Sequence, residues 1–203
     1  MIQRIVKKLG SLRRYGLVRS ARVELERAFL LVLARVYGFH SWHAQAPASA
    51  RPYRETVASL VNALHPQTVV EVGCGLGYVL RLVDAPFLHG YDLDEGAIRA
   101  GRFLRGRSIT FVQGDLSSVT QPHIDVLILV NWIHEISPEE LERVMAPVLP
   151  RTRYLVLDAI DPDESSGYRF KHDFAFLGGR AQRISITRPP NEGRTFQLFK
   201  VMA

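Results

Sequence analysis

Nine residues, Val69-Val70-Glu71-Val72-Gly73-Cys74-Gly75-Leu76-Gly77, constrain this chain more than any other part of it. The β-branched Val69, Val70 and Val72 suit a strand covered on both faces. The glycines let the backbone turn sharply and let a ligand come close, because no Cβ stands in the way. Such a turn at the carboxyl end of the first strand of an α/β sheet is where these folds bind nucleotides. The spacing is GxGxG, and Tyr78 stands where a dinucleotide fingerprint needs its last glycine. Glu71, two residues before the first glycine, would hold an ammonium group and repel a pyrophosphate.

Further segments continue the alternation of strand and helix. Leu88-His89-Gly90-Tyr91-Asp92-Leu93-Asp94 reads as a short strand ending in acid. Asp92 lies 19 residues after Gly73, close to the ~20-residue interval at which an acid meets ribose hydroxyls. Asp94 reads instead as the cap of a helix starting near Glu95. Ile109 to Leu116 forms a strand with Asp115 just past its end, and Ile124 to Val130 a long apolar strand followed by Asn131-Trp132-Ile133-His134-Glu135.

Strands are therefore expected near 68–72, 87–92, 108–112, 124–130 and 153–158, with helices near 19–37, 53–64, 78–84, 95–105 and 138–148. Gly38 is the expected stop of the first long helix, and Ser137 the cap of the last. A short basic helix is expected over 2–9, and a linker or ordered lid over 44–52. Residues 182–188 and 195–202 alternate as strands do and are joined by the turn 189–193. This divides the chain into a basic helical extension with a lid, 1–52, and a main domain, 53–203.

Taken in order, these segments resemble the motifs of class I S-adenosylmethionine-dependent methyltransferases. Trp42-His43, Arg51-Pro52-Tyr53, VEVGCGLG, VNWIHEIS and GYRFKHDFAFL together look like a bacterial group found with polysaccharide-assembly enzymes. The resemblance implies an α/β, Rossmann-like, seven-stranded, mostly parallel sheet with an antiparallel C-terminal hairpin. It implies S-adenosyl-L-methionine as cofactor, at Glu71, Gly73, Cys74, Gly75, Gly77, Asp92, Leu93, Asp115, Leu116, Asn131 and Trp132. In that family the acid at Asp115 receives the adenine amino group. The implied reaction is O-methylation of a sugar or glycan precursor. RNA or protein methylation, and a non-catalytic cofactor-binding scaffold, are the alternatives; VNWI stands where amino-methylating nucleic-acid enzymes carry an NPPY-type sequence.

A neutral hydroxyl acceptor has to lose its proton, which calls for a base, and histidine suits the task near neutrality. His134, after the fourth strand, is the first candidate, with orienting its loop through a backbone hydrogen bond as the other role it could fill. His172, beside Asp173, is the second, with a surface or helix-packing role as its alternative. His43, with Trp42, Arg51 and Tyr53, is expected in a lid over the cofactor. Asn131, Asp158 and Asp161 are the oxygen ligands a magnesium site would use, but a helix cap and solvated turn is the preferred reading and no metal is expected.

The 203 residues suit one domain with a sizeable core. The single cysteine, Cys74, rules out an internal disulfide and fits a reducing compartment. Cys74 itself reads as a small residue packed under the glycine turn. Residues 1–35 hold nine basic residues against two acidic, a net of +7 in a chain whose total is +6. The basic character thus belongs to the extension, which argues against a general nucleic-acid surface. A cytoplasmic location is expected, peripheral at the inner membrane face if the N-terminal arm meets anionic lipid. A homodimer is the other expected assembly.

Overall fold

The computed structural model describes residues 17–45, 47–160, 168–189 and 193–202. The expected helix over 2–9, Asp161 and most of the turn at 189–193 lie outside the described residues. The strands are β1 Thr68–Val72, β2 Phe87–Asp92, β3 Thr110–Gln113, β4 Ile124–Leu129, β5 Thr152–Ile160, β6 Ala181–Thr187 and β7 Arg194–Val201. They form one sheet in the order β3-β2-β1-β4-β5-β7-β6. The first five run parallel. The last strand, β7, inserts antiparallel between β5 and β6. The fold is thus the α/β, Rossmann-like, seven-stranded sheet with antiparallel C-terminal strands.

Both faces of the sheet are covered, as the continuous apolar runs require. Val69, Ile128 and Phe196 point to the face packed by Val57 and Val61 of helix α3 (Tyr53–Asn62). Val70, Val72, Leu127 and Phe199 point to the other, against Leu141 and Met145 of helix α5 (Pro138–Met145). Helix α4 (Glu95–Arg105) is capped by Asp94, whose carboxylate accepts from the Ala97 amide, and α5 by Ser137. Helix α1 (Leu17–Tyr37) is closed by Gly38 at φ +75°, whose amide bonds the Ala34 carbonyl. A third cluster (Leu30, Leu33, Phe39, Ala97, Ala100) fastens α1 to α4. At this junction Gly96 admits the Phe39 amide and Tyr37 carbonyl so closely that an added Cβ would lie 2.6 and 2.7 Å from them.

The structure corrects the sequence-based outline in one element. In place of a helix over 78–84 there is only a 3₁₀ turn, Leu80–Leu82. The crossover from β1 to β2 holds 14 residues, 73–86, near the minimum of about a dozen for a parallel connection. The glycine turn uses the first of them and Pro86 the last, leaving one tight turn between. The segment expected as a linker or ordered lid contains the end of the short helix α2 (Trp42–Gln45) and a 3₁₀ turn, Ala48–Ala50.

Candidate active site

Order reverses at β1, whose neighbours are β2 on one side and β4 on the other. A crevice opens at such a point, beyond the carboxyl ends of the strands. Here it is a cavity of about 650 Å³, lined by Asp92, Leu93, Gly114, Asp115, Asn131 and Trp132, with Glu135, Ile136 and Tyr168 beyond them and Trp42 and Arg51 at the rim. A smaller recess lies behind it, sharing Gly73, Asn131, Trp42 and Arg51 and walled by Glu71, Arg54, His43 and Cys74.

The glycine turn forms the floor. Gly73, Gly75 and Gly77 have φ of +74°, +52° and +68°, a region side chains rarely adopt. All three also give passage to neighbours, Gly77 to the Phe111 ring. A Cβ at Gly73 would lie 2.8 Å from the Trp132 Cβ, and one at Gly75 would lie 2.9 Å from the His43 ring. The turn is held by Asp92, whose two oxygens accept from the Gly75 amide at 2.7 Å and the Asp94 amide at 2.9 Å. Each oxygen keeps a second lone pair for a hydroxyl group. Asp115 accepts from the amide and hydroxyl of Ser117 through one oxygen. The Ser117 hydroxyl is the main cause that holds its carboxyl below the usual range. Leu93 is exposed over the same floor.

Glu71 is buried in the recess. Burial raises its pKa to about 8, with the Arg54 guanidinium acting in the opposite direction. One of its oxygens, Oε2, meets no hydrogen-bond donor among the described residues. A buried acceptor of this kind costs stability until a donor arrives. His43 closes the recess, its Nε2 3.5 Å from Asp94 Oδ2; burial is the main cause that lowers its pKa. Arg54 stacks on the Tyr78 ring at 4.3 Å.

Beyond Trp132 the wall is built from a buried polar network. Asn131 sits at φ +65°. Its amide N–H donates to Asp158 Oδ1 at 3.0 Å, and its side chain donates to the Tyr53 hydroxyl at 2.7 Å. Its Oδ1 accepts from Tyr168 and from Arg194. Arg194, the first residue of β7, also donates to Asp158 Oδ2 and to the Tyr168 hydroxyl, each at 3.0 Å. Asp158, fully buried, thus meets a guanidinium, an amide and, at 3.1 Å, His134 Nε2. Its oxygens are occupied by this chain's own groups, and the described residues hold no cluster of three or more His, Cys, Asp or Glu placed for a metal ion.

Four expectations are revised by this geometry. His134 has no exposed surface: Nδ1 lies 3.2 Å from the Phe170 carbonyl oxygen, and Nε2 faces Asp158. His172 is buried behind it, its Nε2 2.8 Å from the Ile133 carbonyl oxygen. Neither imidazole lines the cavity. A base touching an acceptor is therefore not what these rings are placed to be; His134 packs against the Tyr168 ring at 4.8 Å and supports the wall from behind. Leu116 turns into the core and not toward the cavity. Gly77 shapes the turn through its amide bond to the Cys74 carbonyl and its contact with Phe111, away from the cavity. Cys74 lines the recess. Burial is the main cause that raises its thiol pKa, and Gly90 of β2 makes room for its sulfur.

Sequence reasoning missed Glu135 and Arg194, and gave Arg54 and Tyr168 no role. Arg194 had one legible signal, a charge opening a strand that is otherwise apolar and aromatic. Glu135 had none, since a carboxylate after a strand is ordinarily solvated.

The family model for a methyltransferase domain matches residues 69–152, the span from β1 to the start of β5. No curated protein matches the chain in sequence. Among solved structures, it is similar to a magnesium protoporphyrin IX methyltransferase from Synechocystis PCC 6803 with bound S-adenosylhomocysteine. That pair is 18% identical, with a TM-score of 0.58, over 74% of this chain and 84% of the other. It is also similar to the N-methyltransferase NodS from Bradyrhizobium japonicum, 12% identical with a TM-score of 0.62, over 75% and 89%. An amino pentose methyltransferase from Micromonospora echinaspora is 13% identical with a TM-score of 0.62, over 81% and 98%. At these identities the structural likeness is one of fold.

Proposed function

We propose, from the match of residues 69–152 to a family model for a methyltransferase domain, that this chain is a class I S-adenosylmethionine-dependent enzyme that methylates an oxygen of a sugar or glycan precursor. The observation that carries the donor site is the unmet Glu71 oxygen under the glycine turn. A buried carboxylate that lacks a donor suits the ammonium of the cofactor's amino-acid end. Asp92 takes the ribose hydroxyls through its spare lone pairs, with Leu93 over the floor. Asp115 takes the adenine amino group. Arg51 and Arg54 stand where the amino-acid carboxylate would meet a cation.

S-adenosylmethionine supplies an electrophilic methyl group on its sulfonium. The protein's work is alignment, and positioning of this kind contributes several kcal/mol, up to about 7–11 in favourable intramolecular models. Trp132 and Tyr168 offer two ring faces beyond the donor site, which suits the apolar face of a sugar. Glu135 is the one carboxylate among the described cavity-lining residues that the donor does not use. It takes the acceptor hydroxyl's proton as the carbon–oxygen bond forms and the carbon–sulfur bond breaks. His134, His172, Asp158 and Arg194 keep Tyr168 and Asn131 in place. The similarity to an enzyme described as an amino pentose methyltransferase is in keeping with a sugar acceptor.

The test is methyl transfer from labelled donor to a panel of nucleotide-linked and lipid-linked sugars. The expected result is a mass gain of one methyl group on one of them. Replacement of Glu135 by Gln should slow turnover by about 10²–10⁴-fold and leave donor affinity unchanged. Labelling of RNA or protein instead, or of no sugar, overturns the acceptor assignment.

A further inference from the structure

Helix α1 buries Val23, Leu30 and Leu33 against the domain and leaves a second apolar stripe in solvent. Leu25, Phe29, Val32 and Val36 are 72, 52, 56 and 69% exposed. Their spacing of four, three and four residues places them on one helical face. At the same end of the helix as Val36, Tyr37 meets Phe103 of α4, itself 64% exposed. An outward row of large apolar side chains is unusual on a water-facing helix and marks a docking surface.

The charge around it selects the occupant. Arg22 and Arg35 are exposed on the same helix. The sixteen residues that lead into it contain Arg4, Lys7, Lys8, Arg13 and Arg14 and no acid. A second copy would bring the same positive charge to the contact, and four side chains cover well under the ~800 Å² that each partner gives to a standard interface. No helix among the described residues is long and apolar enough to cross a membrane. An apolar stripe on a basic helix is what lies in a lipid interface, and each basic residue near an anionic surface adds to the attraction.

We propose that α1 docks this protein on an anionic membrane surface, with Leu25, Phe29, Val32 and Val36 inserted and Arg22 and Arg35 toward the headgroups. The docked helix is tied to the rim of the cavity. Glu26 accepts from the amide and hydroxyl of Ser49 at 3.0 and 2.8 Å, and Arg27 reaches the Gln45 carbonyl. The segment α1 holds is therefore the one that carries Trp42 and Arg51 to the cavity.

The full chain is to be sedimented with vesicles of phosphatidylcholine alone and of phosphatidylcholine with about a third phosphatidylglycerol. Binding is expected to the anionic vesicles, weakly or not at all to the neutral ones, and to fall with added salt. The double variant Phe29→Ser with Val32→Ser should bind at least about tenfold more weakly, while its affinity for S-adenosylhomocysteine stays that of the parent, which shows the fold intact. Absence of binding by the full chain overturns the proposal, as does equal binding by the variant. A dimer in sedimentation equilibrium that the variant abolishes overturns it in favour of a second copy. None of these outcomes touches the acceptor assignment, which the sugar panel tests separately.

Discussion

A single oxygen atom of Glu71 makes the sharpest demand on this molecule. With the carboxyl raised to about 8 by burial, the folded protein keeps a proton there that the unfolded chain loses near 4.5. Stability is then greatest below that unfolded value and declines as pH rises toward 8, by up to about 1.4 kcal/mol per unit. Thermal unfolding between pH 5 and 8 should show this slope, and Glu71→Gln should flatten it. A bound ammonium favours the ionised carboxylate. Donor affinity should accordingly rise with pH up to about 8 in the parent and not in the variant, by calorimetry. Asp92 is a different case, because its oxygens already hold the turn. Asp92→Ala should weaken binding of S-adenosylhomocysteine by roughly a hundredfold, the loss of charge-assisted hydrogen bonds to the ribose. Affinity equal to the parent's sinks the ribose assignment.

Between elements, the decisive contact is the bridge from β7 to β5. Asp158 is fully buried and Arg194 is its cationic partner. Burial works against the guanidinium charge, yet Tyr168, Asp158 and Tyr53 together raise its pKa. Arg194→Met leaves a carboxylate buried without a counter-charge and should cost about 3–5 kcal/mol in urea unfolding. Adding Asp158→Asn should restore most of that loss; a double variant no more stable than the single one would show that the pair is not coupled. This network explains where sequence reading stopped. Strands and caps were legible because each follows from local pattern: an unbroken apolar run, a glycine at a positive φ, an Asp or Ser before a helix. The acids at the ends of β1, β2 and β3 were legible because their positions track the strand ends. The partners of His134 were not, since Asp158, Tyr168 and Phe170 lie 24 to 36 residues away and nothing local couples them. A histidine after a strand looks the same in sequence whether it faces substrate or stands behind the wall.

For the molecule as a whole, ligand and fold are linked through the same crevice. S-adenosylhomocysteine at about a hundred times its dissociation constant should add about 2.7 kcal/mol, a rise of roughly 5–10 °C in the thermal midpoint of a domain of this size. A flat midpoint would count against donor binding. The layout of the sheet carries one more consequence. The strand made last, β7, is an interior one, flanked by β5 and β6, and it delivers Arg194 to the wall of the cavity. A nascent chain can lay down the five parallel strands, yet it holds an unclosed seam beside β5 and an Asp158 without its Arg194 partner until β7 has been made. Competence for catalysis should therefore require β7 to be in place, and a chain cut between Ile160 and Arg194 should aggregate along that open edge.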